Sequence, residues 1–230
     1  MSEAFLRIAD ANALVLPNTL QALYRDGRTT YGPDWPTVWK RRMLEDPPAL
    51  ISAYDIEWNS TAEIEETIAS WLAPTHQHGR RFFPFAQSGA GDQYCLSPLD
   101  DGRLGVALIW HDRDQSNIAY PDFDAFLCAR FIATMADLSH LIDDDFTPQD
   151  AHRCLLADLD STGRYLPESL QTRLRTLASG SLKERPYRYG PKRIEPIFSL
   201  ITQDDEDREL ERVCIADPPS FDIVARWDLL

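Results

Sequence analysis

The chain has 230 residues, 43% of them hydrophobic and 26% charged, enough to bury one large core or two small ones. Its 37 acidic residues against 23 basic ones leave a formal net charge of −14, which repels phosphate backbones and sets nucleic acid aside as a partner. No apolar run approaches the ~20 residues that a membrane span needs. The same charge has two readings. It keeps an acidic protein dispersed, or it draws in a basic partner by electrostatic steering.

Cys95, Cys128, Cys154 and Cys214 form no CxxC pair and spell neither a zinc site nor a disulfide framework. Buried free thiols in a reducing compartment are the expected state. Glu3 and Asp10 interrupt the first apolar stretch, which does not read as a signal peptide, so the expected location is the cytoplasm.

In chain order, residues 14–26 predict a helix with Pro17 in its first turn. Leu16, Leu20, Leu23 and Tyr24 lie on one face, and Gly27 stands at the end. Trp35 to Leu44 predicts a second helix, with Lys40-Arg41-Arg42 outward. Pro47-Pro48 breaks the chain, and 49–58 reads as extended. Ser60 and Glu63 have capping-box spacing and open a helix to Leu72, with Ile64, Ile68, Trp71 and Leu72 as its apolar face. His76-Gln77-His78 then reads as a solvated loop. Two histidines at i and i+2 suit an extended metal site, but no third ligand stands nearby, so no metal is expected.

Residues 81–110 carry short aromatic and apolar bursts separated by Gly89, Gly91 and the turn Asp100-Asp101-Gly102-Arg103. That is the pattern of antiparallel strands, with Asp101-Gly102 as the hairpin signal. Asp92 follows the two glycines, where its carboxylate can accept hydrogen bonds from the loop's own amides. A polar turn spans 111–117, and 118–120 reads as one more strand. Asp122 caps a helix carrying Phe123, Phe126, Leu127, Phe131, Met135 and Leu138. Asp143-Asp144-Asp145 reads as a solvated loop. Thr147-Pro148 and Pro167 start further helices, the second closing near Gly180. Lys183 to Arg193 is a basic, aromatic loop and Asp204 to Arg212 a charged helix. Ile223, Val224, Trp227 and Leu230 make a tail that docks on the body.

The run Phe83-Pro84-Phe85-Ala86, then Gly89-Ala90-Gly91-Asp92-Gln93-Tyr94-Cys95-Leu96, resembles the signature of the SUKH superfamily. Two later pieces, Val106-Ala107-Leu108-Ile109-Trp110-His111 and Phe123-Asp124-Ala125-Phe126-Leu127, follow in the family's order. Leu16-Pro17, Leu20, Leu23 and Gly27 resemble its opening helix. The resemblance covers Leu14 to Leu127 and leaves the remainder outside. Members of that superfamily include a yeast regulator of cell-wall assembly and many bacterial immunity proteins against polymorphic toxins. The resemblance implies an α+β fold with a mixed, mostly antiparallel sheet and helices packed mainly on one side. Residues 1–146 would form that domain, and 147–230 a helical C-terminal extension on the same body.

No phosphate loop, nucleophile elbow, zinc-protease helix or dinucleotide fingerprint is present. Cys95 with His111 and Asp92 can be drawn as a thiol dyad with an orienting carboxylate. An apolar strand around Cys95 instead points to an inert buried thiol. The expectation is a protein-binding module without enzymatic activity or cofactor, either an immunity protein that blocks a basic toxin domain or an intracellular scaffold. Its partner-binding face is placed on the loops around the sheet, at Gly89, Gly91, Asp92, Trp110, Asp112 and Asp114. A Trp beside acidic residues suits an interface anchor, although Trp110 also suits a core position.

Overall fold

The computed structural model describes residues 2–229. Its helices are α1 (Ser2–Ala11), α2 (Asn18–Arg25), α3 (Trp35–Glu45), α4 (Thr61–Thr67), α5 (Phe123–Ala136), α6 (Ser139–Asp143), α7 (Pro148–Gly163), α8 (Glu168–Ala178) and α9 (Gln203–Val213). Its strands are β1 (Glu57–Trp58), β2 (Phe83–Gln87), β3 (Gln93–Pro98), β4 (Leu104–Ile109), β5 (Gln115–Tyr120), β6 (Lys183–Arg188), β7 (Ile194–Ser199) and β8 (Ser220–Asp222). The chain clusters into two compact units. The first holds 1–30, 55–126 and 214–230, and the second holds 31–54 and 127–213.

The first unit is built on a six-stranded sheet of order β1-β2-β3-β4-β5-β8. The α+β fold with a mostly antiparallel sheet is what the chain forms, and every pairing in this sheet is antiparallel. The turn between β3 and β4 uses Gly102 at φ +81°, a backbone that costs glycine little and a β-carbon more. Strand alternation splits the side chains between two buried faces. On one face, Phe85 meets Phe123 and Phe126 edge-on at 5.2 and 5.3 Å, and Tyr94 lies 5.5 Å from Phe126. On the other, Cys95, Ala107, Ile109 and Ile118 pack with Trp71, Leu72, Phe82, Phe221 and Ile223.

Local signals explain most of the first unit. Ser60 and Glu63 close the capping box of α4 reciprocally, at 2.7 and 3.3 Å. The helix then widens into a π-helical turn, Ile68–Leu72, which brings both Trp71 and Leu72 into the core. The helix expected at 14–26 is α2, and a helix the sequence reading did not expect precedes it, because Phe5, Ile8 and Ala9 give α1 its own buried face. Phe5 stacks on Tyr24 of α2 with centroids 3.6 Å apart. The span 49–58 is mostly turns, with Leu50 and Asp55 at positive φ, and reaches strand geometry only at β1.

The second unit packs α3 against α7, with Trp39 edge-on to Phe146 at 5.7 Å. Thr147 caps α7 through the Asp150 N–H, as its sequence predicts. From Leu127 onward α5 belongs to this unit, and its side chains are buried on nearly every side. The stretch expected as a basic loop is the β6–β7 hairpin, in which Pro186 faces Pro196. Its tyrosines are tethered by carboxylates. Tyr187 donates to Glu206 at 2.9 Å, and Tyr189 donates to Asp137. Among the described residues, no helix is long and apolar enough to cross a membrane.

Candidate functional site

The loop joining β2 to β3 is held from inside. Ser88 N–H donates to the Asp92 carbonyl at 2.9 Å, and Ser88 Oγ accepts from the amides of Ala90 and Asp92 at 3.2 and 3.1 Å. Gly91 N–H returns to the Ser88 carbonyl at 2.9 Å, and Gly91 sits at φ +90°, the position where a glycine is required. Asp55 Oδ1 accepts from Gly89 N–H at 2.6 Å. Gly89 and Ala90 remain exposed at the tip.

Asp92 is 4% exposed and ties this loop to the next one. Its Oδ1 accepts from His111 N–H at 3.1 Å and lies 2.6 Å from His111 Nδ1, while Oδ2 accepts from Ser88 Oγ at 3.2 Å. The predicted site residues are therefore brought together as two adjoining loops. Asp92 stands beneath them as their tie, with little of its own surface to offer.

The second loop runs from Trp110 to Asp114. Trp110 is half-buried, and Asp112, Arg113 and Asp114 are exposed. The Arg113 guanidinium covers one face of the indole, 3.9 Å from its centroid. The C-terminal segment runs alongside: Ile223 N–H donates to the Asp114 carbonyl at 2.8 Å and Arg226 N–H to the His111 carbonyl at 2.9 Å. Trp227, 64% exposed, lies 5.4 Å from the His111 ring. Sequence reading placed this tail on the body but missed that it sets a second tryptophan beside His111, the residue after Trp110. Leu230, the last residue of that expected tail, lies outside the described residues.

Cys95 is no nucleophile in this arrangement. It is fully buried in β3, and desolvation pushes its thiol well above the usual range. His111 spends its Nδ1 on Asp92. Ligand atoms of Asp92, His111 and Asp112 lie within 4.8 Å of one another. Asp92 and His111 already satisfy each other at 2.6 Å, and three groups fall short of the ligand count that hard divalent cations take. What remains is a shaped acidic surface carrying two indoles, suited to complementarity with another protein.

No curated protein and no solved structure matches the chain. The SMI1 / KNR4 family (SUKH-1) matches residues 2–129, more than half of the sequence, and the protein belongs to that family.

Proposed function

We propose that the Gly89–Asp92 and Trp110–Asp114 loops form the binding face of an immunity protein, and that this face covers the basic active cleft of a toxin domain. The observation that carries the reading is the exposed pair Asp112 and Asp114 beside Trp110, on a loop pinned by the buried Asp92 carboxylate. A pinned loop loses little conformational entropy on binding. Two carboxylates at the rim would steer a cationic partner, and the net charge of −14 adds to the pull. Gly89 and Gly91 would let the partner's backbone approach closely. Trp110 and Trp227 supply the aromatic area that anchors tend to use. The cytoplasm is the compartment this role would occupy.

A second reading is an intracellular scaffold or regulator. The family match ends at residue 129, and the chain continues through α7, α8, the β6–β7 hairpin and α9, which would give a scaffold further surface. An enzyme acting through Cys95 and His111 is the least favoured. The test is neutralisation. A basic toxin domain encoded beside this protein's gene should lose its activity when the purified protein is added at equal molarity. Replacing Asp112 and Asp114 with lysine should restore that activity. Undiminished toxin activity with the unaltered protein would remove the immunity reading and leave the scaffold.

A further inference from the structure

The histidine-bearing loop after α4 does something the acidic face does not. Gln77 is fully buried. Its Nε2 donates to the carbonyls of Trp71 and Val224 at 2.9 and 3.1 Å, and its Oε1 accepts from Val224 N–H at 2.9 Å. With the amide pinned, the chain turns through His78 at φ +54° and Gly79 at φ +83°. Gly79 N–H closes on the Pro74 carbonyl and Arg80 N–H on the Gln77 carbonyl, both at 2.8 Å. His78, Arg80 and Arg81 all line one cleft.

That cleft has a volume of about 530 Å³, and Pro98, Phe221 and Asp222 complete its wall. Past Arg80, Pro98 and Phe221 it meets a second hollow of about 350 Å³. Together they have the size of small-molecule sites. Arg80 lies over the Phe221 ring, 4.1 Å from the centroid. Burial lowers the Arg80 pKa, and the charge of Asp100 opposes that shift. Among the described residues neither Arg81 nor His78 makes an ion pair. Two arginines and a histidine line the cleft against one carboxylate, Asp222, so on a chain this acidic the balance of charge in the cleft is locally reversed, although Asp100 lies near Arg80.

We propose that this cleft binds a small phosphorylated molecule. The phosphate would be held by Arg80, Arg81 and His78, and its organic body would lie along Pro98 and the edge of Phe221. Guanidinium groups suit phosphate because their donors match its oxygens in pairs. The ligand must be small. A polyanion or an anionic membrane would feel the whole net charge of −14, whereas a single phosphate ester in the cleft feels mainly its neighbours within a Debye length of ~8 Å. The site lies outside the loops assigned to protein binding, and its test is independent of them.

The experiment is titration of the purified full chain with adenosine monophosphate and with inorganic phosphate, at ionic strength matched with sodium chloride, followed by calorimetry and by thermal shift. Saturable binding of both is expected, tighter for adenosine monophosphate. Arg81→Glu should weaken it at least tenfold, and Arg81→Lys should keep part of it. Arg81 is exposed, so both variants should retain the parent's circular dichroism and melting temperature in ligand-free buffer. Absence of saturable binding by either probe would overturn the proposal, as would an affinity that Arg81→Glu leaves unchanged. Equal affinity for the two probes would overturn the place given to the organic body.

Discussion

Asp158 sets two large effects against each other, and a single substitution shows which wins. The carboxylate lies at the heart of the second unit with no exposed surface. Its Oδ1 accepts from Leu50 N–H at 3.0 Å and from Thr162 Oγ1 at 2.8 Å, and its Oδ2 from Ser52 N–H at 2.8 Å and Ser52 Oγ at 2.7 Å. Those four bonds favour the ionised form. Burial opposes it more strongly and raises the pKa from 3.8 to about 6. Between those values the folded chain keeps a proton that the unfolded chain has released. Stability therefore falls as pH rises through that window, by about 3 kcal/mol in total at ~1.4 kcal/mol per pH unit. Asp158→Asn cannot titrate. Its amide NH2 can donate to a hydroxyl of Ser52 or Thr162 but strands one backbone N–H, at a cost of about 1–3 kcal/mol. The variant should be the less stable protein at pH 4. Relative to the parent it should recover by about 3 kcal/mol by pH 7, which brings the two close to parity. Urea unfolding of both proteins at each pH measures this, and taking the difference cancels every other titrating group. A gap that stays constant with pH would mean that the hydrogen bonds balance desolvation, one that widens toward pH 7 that they outweigh it, and either would refute the reasoning.

Three further outcomes follow from particular contacts. Glu206 is buried beside the Tyr187 hydroxyl, and burial raises it to about 7. Its contribution is lost as pH rises through that value, so Glu206→Gln should gain stability relative to the parent between pH 5 and pH 8, read by thermal melts. A β-carbon on Gly105 would stand 2.3 Å from Ile118 Cγ2 and 2.7 Å from the Tyr120 carbonyl. Gly105→Ala should therefore cost about 1–3 kcal/mol, seen as a lower urea midpoint at unchanged slope. Cys95, Cys128 and Cys154 are buried and Cys214 is half-buried. Maleimide should label Cys214 first in the native protein, and rapid native labelling of Cys95 would contradict its place in the core.

Where the chain announced itself, the signal was short-range. Ser60 with Glu63, Thr147 with Asp150, Asp122 with Ala125 and the Asp101-Gly102 turn each need only three or four neighbouring residues. Their geometry was legible for that reason. Asp92 was legible as a carboxylate that pins the glycine loop, but not by the expected bonds: the loop amides of Ala90 and Asp92 donate to Ser88 Oγ, and the carboxylate holds Ser88 Oγ and His111 instead. The less legible features depend on distant partners. β8 is three residues long and exists through its pairing with β5, more than a hundred residues earlier. Gln77 sits between two histidines in a polar stretch, and its burial depends on Val224. Charge and two prolines hid the β6–β7 hairpin, since prolines ordinarily interrupt a ladder, yet here Pro186 and Pro196 face each other. The exposure of Trp227 beside His111 also depends on where the last strand leaves the chain.

The central claim is that the acidic, tryptophan-bearing loops bind a basic protein. It is tested most directly by a paired capture from native lysate, with the tagged protein and its Asp112→Lys, Asp114→Lys variant as baits and mass spectrometry as the readout. The account predicts one basic domain on the parent bait, released by high salt and missing from the variant. The same proteins on both baits, or retention indifferent to salt, would contradict it.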